Sequence, residues 1–331
     1  MTEQAQAVTR KKQTEKQATR DGFGQGLLAA AEKNPQVVAV SADLTGSMRI
    51  REFAKKYPER HIQVGVAEQS LIGTAAGLAL GGKKPFAASF AAFSPGRTFD
   101  QIRVSIAYSH FNVVVVGGHA GLATGPDGAS HQMLEDIAMM RALPKMMVVQ
   151  PCDAVQARLA TLALAAQTGP AYLRLTRPKV KNVTSPDQDF QIGQAQVLKS
   201  GKDLAVIASG IVVQQALEAA KQLETEGISV RVINLHTIKP IDEHTIIEAV
   251  KQTQAVLTVE DHQIQGGMGS AAAEVIAGQL GQRIMQAKPF KTMGVKDSFG
   301  ESGSHQQLYH KYGLDAAAIK QAGLRLMKQS K

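Results

Sequence analysis

The stretch Gly65-Val66-Ala67-Glu68-Gln69, followed by a small and apolar run over residues 70–80, decides how the first half of the chain is interpreted. The pattern predicts a short strand over residues 61–66 and then a helix that is apolar nearly all round. Glu68 lies at the junction between them. A carboxylate entering such a helix is costly to bury unless something binds it, although the positive end of the helix dipole also favours an acid there. The sequence thus marks Glu68 as either a dipole-stabilised acid or a binding residue.

Short β-branched runs alternate with helical stretches through the rest of the chain. The runs are apolar along their whole length, which is typical of strands in a parallel sheet that is covered by helices on both faces. In the first half the predicted strands cover residues 37–40, 62–64, 86–88, 113–116, 146–149 and 172–175. In the second half they cover residues 204–208, 230–233, 255–259 and 291–293, with predicted helices at 212–226, 242–252 and 269–280. We therefore expect an α/β fold of two doubly wound parallel-sheet domains.

A break in this alternation separates the two predicted domains. Residues 178–191 contain Pro178, Pro186 and many polar residues, which is typical of a linker. We assign residues 17–183 to the first domain, 184–191 to the linker and 192–331 to the second domain. Residues 1–16 are polar and rich in Gln, Lys and Thr, so we expect a frayed tail or an exposed helix there.

The composition is that of a soluble globular protein. The chain has 331 residues, of which 44% are hydrophobic and 20% charged, and this length favours two domains over one. No apolar run approaches the roughly 18 residues needed to span a bilayer, and the basic N-terminus has no apolar core typical of a signal peptide. The single cysteine, Cys152, excludes an internal disulfide. We expect a cytoplasmic protein with no membrane contact.

The net charge of +9 raises the question of nucleic-acid binding. The basic residues are scattered, only 5% of residues are aromatic, and no nucleic-acid motif is present. We therefore expect no nucleic-acid partner. The charge remains compatible with anionic small substrates such as phosphate esters.

Polar and aromatic side chains follow several of the predicted strands. In open parallel sheets, ligands bind outside the carboxyl ends of the strands. The residues at these positions are Asp43, Glu68, Phe90, His119, Asp127, His131 and Arg177. So many such residues at one edge indicate a site.

Each of these residues also has an ordinary structural interpretation. Asp43 could cap the next helix, His119 could be a turn residue, and His131 could begin a helix. Phe90 could belong to the core, and Arg177 could pair with a surface acid.

Three glycine-containing stretches resemble nucleotide-binding motifs without fulfilling them. The stretch from Gly77 to Lys84 lacks the preceding strand and the final Ser or Thr of a P-loop, so Gly81-Gly82 is interpreted as a helix stop. Gly22-Phe-Gly24-Gln-Gly26 lacks the spacing of a dinucleotide loop. Gly266-Gly267-Met268-Gly269 is a candidate anion loop, but we favour tight packing of a helix on a strand. No Cys/His cluster has the spacing of a zinc site.

The order of these pieces resembles a transketolase. The stretches that carry the resemblance are Gly65-Val-Ala-Glu68-Gln, Ser89-Phe90-Ala-Ala-Phe93, His119 through Thr124-Gly-Pro-Asp127 to His131-Gln132, Gln150-Pro-Cys-Asp153, Leu175-Thr-Arg177 and Val259-Glu-Asp-His262 to Gly269. The resemblance covers about residues 17–331 and only the pyrimidine-binding and C-terminal domains of that family. One departure is Gly96, three residues after Phe93, where many transketolases have a tyrosine.

The resemblance implies the second of two kinds of subunit in a split transketolase. The Gly-Asp-Gly and Asn motif with which the family holds metal and diphosphate is not found in this sequence. A separate diphosphate-binding subunit is therefore implied, with assembly of two copies of each chain into an A2B2 heterotetramer. The implied cofactors are thiamine diphosphate and Mg²⁺ or Ca²⁺, with the metal ligands on the diphosphate-binding subunit. The implied reaction transfers a two-carbon ketol unit from a ketose phosphate to an aldose phosphate, as in the pentose phosphate pathway.

The resemblance also implies roles for the marked residues. Glu68 would bind a ring nitrogen of the aminopyrimidine and so promote the loss of the thiazolium proton. Phe90 would stack on the pyrimidine, with Phe93 alongside, and Asp43 would belong to the cofactor pocket and the subunit contact. His131 would transfer protons at substrate hydroxyls. The implied substrate-binding residues are Asp127 at the donor hydroxyl and His119, Arg177, Arg20 and Ser47 at the phosphate.

Other enzymes with the same domain arrangement remain as alternatives. The C-terminal half of deoxyxylulose-phosphate synthase and the beta subunit of a 2-oxo acid dehydrogenase would both keep Glu68. Asp127 and His131, together with the implied phosphate-binding residues, favour sugar phosphates. A non-catalytic scaffold subunit would be expected to have lost Glu68 or the histidines, which are present. A nicotinamide dehydrogenase would be expected to have a Gly-x-Gly-x-x-Gly motif after a strand. No such motif follows a predicted strand in this sequence.

Overall fold

The first half of the chain builds a parallel sheet. The computed structural model describes residues 16–281 and 286–330, so the predicted tail at 1–16 lies outside the described residues except for Lys16. The strands are β1 Val37–Ser41, β2 His61–Gln63, β3 Lys84–Phe90, β4 Val114–Gly118, β5 Met147–Val149 and β6 Ala171–Arg174. They run parallel in the order β5-β6-β4-β3-β1-β2. β1, β3, β4 and β6 are buried along their whole length, as their continuous apolar sequences predicted.

Helices cover both faces of this sheet. The helices of this half are α1 Thr19–Lys33, α2 Arg51–Lys56, α3 Glu68–Leu80, α4 Asp136–Ala142 and α5 Ala154–Ala166, together with a π-helix, Ile102–Tyr108. Side chains of α1, α2 and α5 pack on one face against Phe86 and Val114. Side chains of α3, α4 and the π-helix pack on the other face against Ala87 and Val115.

Glycines allow α1 and α5 to approach closely. A Cβ atom added at Gly22 would lie 1.9 Å from the carbonyl oxygen of Ala154, and one at Gly26 would lie 2.7 Å from Cβ of Thr161. The stretch that superficially resembles a dinucleotide loop is therefore the packing surface of a helix. Helix α3 ends at Leu80 and is followed by Gly82 at φ +80°, which confirms the predicted helix stop.

The second half builds a smaller α/β unit. Its strands are β7 Gln196–Lys199, β8 Leu204–Ala208, β9 Val230–Asn234, β11 Ala255–Gln263 and β12 Phe290–Val295, in the order β12-β11-β8-β9-β7. Its helices are α6 Val213–Glu224, α7 Glu243–Gln252, α8 Met268–Gly281, α9 His305–Lys311 and α10 Ala316–Gln329. The predicted α/β class with two mostly parallel sheets is confirmed.

Two strands differ from the prediction of purely parallel sheets. β10, Thr237–Lys239, comes from the second half of the chain but pairs antiparallel with β5 at the edge of the first sheet. β7 pairs antiparallel with β9 at the edge of the second sheet. β10 has three residues and β7 is only partly buried, so neither has the apolar signature of the other strands. The first sheet thus takes a strand from beyond the predicted linker. The domain boundaries at residues 183 and 192 stay a prediction.

The loop before α8 binds an internal carboxylate. Glu260 accepts hydrogen bonds from the backbone N–H groups of Met268 (2.6 Å) and Gly269 (2.8 Å). A Cβ atom at Gly267 would lie 2.1 Å from Oε2 of Glu260. The geometry agrees with tight helix–strand packing, since the carboxyl group of Glu260 already satisfies the N–H groups at this helix N-terminus.

Across residues 16–281 and 286–330, we find no helix with the length and apolar character needed to cross a bilayer.

Candidate active site

A cavity of about 1030 Å³ lies where β1, β3 and β4 end and α1 begins. Its lining contains all five residues expected to bind substrate, which are Arg20, Ser47, His119, Asp127 and Arg177. Asp43 and Phe90, both expected in the cofactor pocket, also line it. Glu68, Phe93 and His131 are not in its lining. The carboxyl edge of the sheet therefore gathers most of the predicted site into one cavity.

Arg20 and His119 form a polar contact in this cavity, where His119 is buried. Nη1 of Arg20 donates to Nε2 of His119 and to the carbonyl oxygen of Ser47, both at 3.0 Å. Because a guanidinium only donates, Nε2 of His119 must accept, which places the ring proton on Nδ1. Burial and the charge of Arg20 lower the pKa of His119 to about 3. His119 is thus a neutral hydrogen-bonding group, and its buried Nδ1 has no hydrogen-bond partner within the described residues.

Arg177 and Asp127 contact each other at the mouth of the cavity. Nη1 of Arg177 donates to Oδ1 of Asp127 (3.1 Å) and to the carbonyl oxygen of Thr124 (3.0 Å). Their side chains are 37% and 32% exposed, so solvent screens the pair and it stabilises the fold only weakly. Both groups can therefore exchange this contact for one with a ligand.

Sequence reasoning missed Arg49, a further cation of the cavity lining. Arg49 has a left-handed backbone conformation (φ +62°), and its Nε donates to Oδ1 of Asp21 at 2.6 Å. Lys16 and Lys179 also line the cavity. Because Arg49 does not directly follow a strand, its position in the sequence gave no signal.

A row of rings runs from the cavity toward Glu68. The ring centroids of Phe90 and His119 are 3.8 Å apart, and those of Phe90 and Phe93 are 5.8 Å apart with nearly parallel planes. The His131 ring lies 5.3 Å from that of Phe93, edge on. The interpretation of Phe90 as a pure core residue is incomplete, since it also forms part of the cavity wall.

Arg97 connects this row to Glu68. Glu68 is the first residue of α3 and is only 5% exposed. Nη1 of Arg97 donates to Oε2 of Glu68 at 3.2 Å, and its guanidinium carbon lies 4.6 Å from the centroid of the Phe93 ring. The buried carboxylate is therefore compensated by both a cation and a helix N-terminus. Arg97, directly after the anomalous Gly96, was also missed from the sequence.

Asp43 and His131 do not have their ordinary structural roles. Asp43 is exposed at φ +54°, and its backbone N–H donates to Oε1 of Gln63 at 2.7 Å. It caps no helix, because α2 starts only at Arg51. His131 lies in a turn five residues before α4, with Nδ1 2.9 Å from Oγ of Ser130.

Within the described residues, no group of three or more His, Cys, Asp or Glu side chains is arranged to hold a metal ion.

The fold is that of α/β proteins built on two mostly parallel sheets, and the cavity lies at the carboxyl edge of the first sheet. Residues 15–182 match the family model "Transketolase, pyrimidine binding domain" and residues 193–319 match "Transketolase, C-terminal domain". The chain belongs to the transketolase family.

Relatives that match over nearly their whole length agree with this assignment. A putative transketolase C-terminal section of Methanocaldococcus jannaschii is 42% identical over 94% of this chain and 96% of its own. The 6-deoxy-6-sulfo-D-fructose transketolase subunit SqwH of Clostridium sp. (strain MSTE9) is 41% identical over 92% of both chains. A solved structure described as a split gene transketolase, inactive beta4 tetramer, superposes with a TM-score of 0.87 at 44% identity, covering 95% of this chain and 99% of that one.

Proposed function

We propose that this chain is one subunit of a thiamine-diphosphate-dependent transketolase that transfers a two-carbon ketol unit from a ketose phosphate to an aldose phosphate. The observation that carries the proposal is the placement of a buried carboxylate, Glu68, at one end of a row of aromatic rings that leads into a basic cavity. The carboxylate suits a heteroaromatic cofactor, and the cavity suits a phosphorylated substrate.

The residues present fit the pyrimidine ring of thiamine diphosphate. The Phe90 and Phe93 rings offer a flat apolar surface for stacking. Glu68 supplies a carboxylate that can accept a proton from, or share one with, a ring nitrogen, and its burial strengthens that hydrogen bond. We assign Asp43 to the rim of the same pocket. When bound, the cofactor supplies a carbon nucleophile that adds to a carbonyl group.

The cavity residues fit a sugar phosphate. Arg20, Arg177 and Ser47 provide donors for the phosphate oxygens, with the arginines suited to bidentate contacts. His119 joins them as a neutral donor through Nδ1, since Arg20 occupies Nε2. Asp127 binds the donor hydroxyl next to the carbonyl, and His131 moves protons at substrate hydroxyls.

We infer that a diphosphate-binding partner chain completes the site. That partner would hold the diphosphate and its Mg²⁺ or Ca²⁺. The exposed face of α3 supports a protein contact at this place, because added Cβ atoms at Gly73 and Gly77 meet nothing within 4 Å. Val66, before the helix, is 76% exposed and Leu80, at its end, is 74% exposed. An A2B2 heterotetramer in the cytoplasm is the assembly we propose.

Reconstitution tests this proposal. The purified chain should give no turnover of xylulose 5-phosphate with ribose 5-phosphate, even with thiamine diphosphate and Mg²⁺ present. Adding the diphosphate-binding subunit should restore it. Turnover by the chain alone would contradict the need for a partner. Release of carbon dioxide from pyruvate by the reconstituted enzyme, without ketol transfer, would favour the synthase or dehydrogenase alternatives instead.

A further inference from the structure

A carboxylate of the second domain binds the loop of residues 119–131, which carries His119, Asp127 and His131 of the proposed site. Asp261 lies on β11 and is 2% exposed. Its Oδ1 accepts from the backbone N–H of Leu122 at 2.8 Å, and its Oδ2 accepts from that of Ala123 at 3.1 Å. The hydroxyl of Tyr309 on α9 donates to Oδ2 at 3.0 Å. A residue about 140 positions away thus satisfies the first N–H groups of the short helical segment Leu122–Asp127.

The chain is shaped to let Asp261 approach this loop. Gly121 has φ +77°, and a Cβ atom there would lie 2.4 Å from Oδ2 of Asp261. Only glycine accommodates both the left-handed backbone and this contact. Gly121 therefore leaves the room that Asp261 needs to reach the loop.

Other contacts fix the remainder of the loop. Nε2 of Gln132 donates to the carbonyl oxygens of Gly125 (3.2 Å) and Glu301 (2.9 Å), so the second domain is bound here as well. Nη2 of the fully buried Arg174 donates to the carbonyl oxygen of Met133 at 3.1 Å. Asp261 thus holds the start of the segment, together with the backbone hydrogen bond from Gly121 N–H to the carbonyl oxygen of Met133 at 2.9 Å.

We propose that Asp261, with Tyr309, is a positioning residue for the transketolase reaction. This proposal rests on the proposed function. Asp261 touches neither cofactor nor substrate. It sets the backbone of residues 121–127, and with it the directions in which His119 and Asp127 face the cavity. The second domain then contributes to substrate binding as well as to assembly.

The test uses Asp261→Asn and Tyr309→Phe in the reconstituted holoenzyme. The asparagine is nearly isosteric, but its NH2 group would face a backbone N–H, and that contact would be lost. Because the loop then shifts, we expect KM for the ketose phosphate to rise about tenfold, equivalent to about 1.4 kcal/mol. Tyr309→Phe removes one of three donors and should raise KM by a smaller factor. The affinity for thiamine diphosphate should stay within twofold of the wild type, since Glu68 and Phe90 lie outside the loop.

Asp153→Asn is the matched control. Asp153 is also a fully buried carboxylate that accepts several hydrogen bonds, from Gln156, Val183 and Thr184, but it binds the linker and not the loop. The Asp153→Asn substitution should lower the thermal midpoint of unfolding, while KM for the ketose phosphate stays unchanged. An equal rise of KM in Asp153→Asn would show that general destabilisation explains the effect, and would overturn the proposal.

Hydrogen–deuterium exchange on the free chain separates this proposal from the assigned reaction. Asp261→Asn should increase exchange at residues 121–128, whereas Asp153→Asn should not. Unchanged exchange and unchanged KM in a folded Asp261→Asn would overturn the positioning role. If Asp261→Asn does not fold, the positioning role is tested with Tyr309→Phe, by the same measurements of KM and of hydrogen–deuterium exchange. If the wild-type enzyme shows no ketol transfer, the proposed function fails, and the exchange result alone decides on the loop.

Discussion

At the scale of single residues, the buried polar groups of the candidate site and of its supporting loop each have specific neighbours. Glu68 has Arg97, His119 has Arg20, and Asp261 has two backbone N–H groups. Removing the neighbour of a buried charge costs more than the pair contributes, because an uncompensated charge is left behind. Arg97 is 57% exposed, however, so it can turn into solvent when another group binds Glu68.

The buried His236 gives a testable pH dependence. Burial lowers its pKa to about 4, against an ordinary value of 6.5, and its ring stacks on Phe190 at 4.4 Å. Between these two pH values the unfolded chain binds a proton that the folded chain does not, so this group makes the fold less stable as pH falls. We expect the free energy of unfolding of the wild type to fall relative to that of His236→Gln, by up to about 1.4 kcal/mol per pH unit. Denaturant titrations at pH 7, 6 and 5 measure this, and a constant difference would contradict the assigned pKa.

Residues of the cavity lining were predictable where they lie at the carboxyl ends of strands. Asp43 and His119 come after strands, Phe90 ends one, and the structure places all three at the cavity. Arg49, Arg97 and Asp261 could not be found this way. Arg97 reaches Glu68 across 29 residues and Asp261 reaches Leu122 across 139, so their contacts arise only from the tertiary fold.

At the scale of elements, burial decided which parts could be predicted. Strands covered on both faces have continuous apolar sequences, and their positions were predicted to within a few residues. The edge strands β7 and β10 are short or partly exposed, and their antiparallel pairing depends on partners far along the chain. The Gly81-Gly82 helix stop was predictable because its signal is local.

Helix α3 provides a prediction about assembly. A Cβ atom at Gly73 meets nothing within 4 Å in the free chain, and the same is true at Gly278 on α8. Alanine at either position should stabilise the free chain by about 0.5–1 kcal/mol, because glycine is a poor helix former. Only Gly73→Ala should also weaken association of the chain with the diphosphate-binding subunit, since we place α3 at that subunit interface.

Sedimentation velocity over a range of concentrations distinguishes the two variants. We expect the complex with the diphosphate-binding subunit to have a higher dissociation constant for Gly73→Ala and the wild-type dissociation constant for Gly278→Ala. Equal association of both variants and the wild type would show that α3 is not part of the interface.

At the scale of the whole molecule, the two halves of the chain are interlocked. β10 completes the first sheet, and Nζ of Lys239 within it donates to the carbonyl oxygens of Arg141 (2.9 Å) and Leu143 (2.5 Å). Asp261 binds the loop of the first half from the other side of the linker. The sequence indicated two domains, but it could not show that one donates a strand to the other.

Cutting the linker tests this interlocking. A protease site introduced at residues 186–189 should allow cleavage without separation of the two parts. The cleaved chain should elute from gel filtration at the position of the intact chain, because the strand and loop contacts remain. Elution as two separate species would contradict it.

The proposed binding of a cofactor ring by Glu68 is tested most directly by the turnover of xylulose 5-phosphate by reconstituted Glu68→Gln. Glu274→Gln is the control, since Glu274 is also paired with an arginine, Arg141, but is an exposed residue of α8. We predict that Glu68→Gln lowers kcat by about 100-fold or more, as expected for loss of a proton-transferring carboxylate, while the thermal midpoint and assembly stay those of the wild type. Near-normal turnover by Glu68→Gln would show that Glu68 does not bind the cofactor ring in the proposed way.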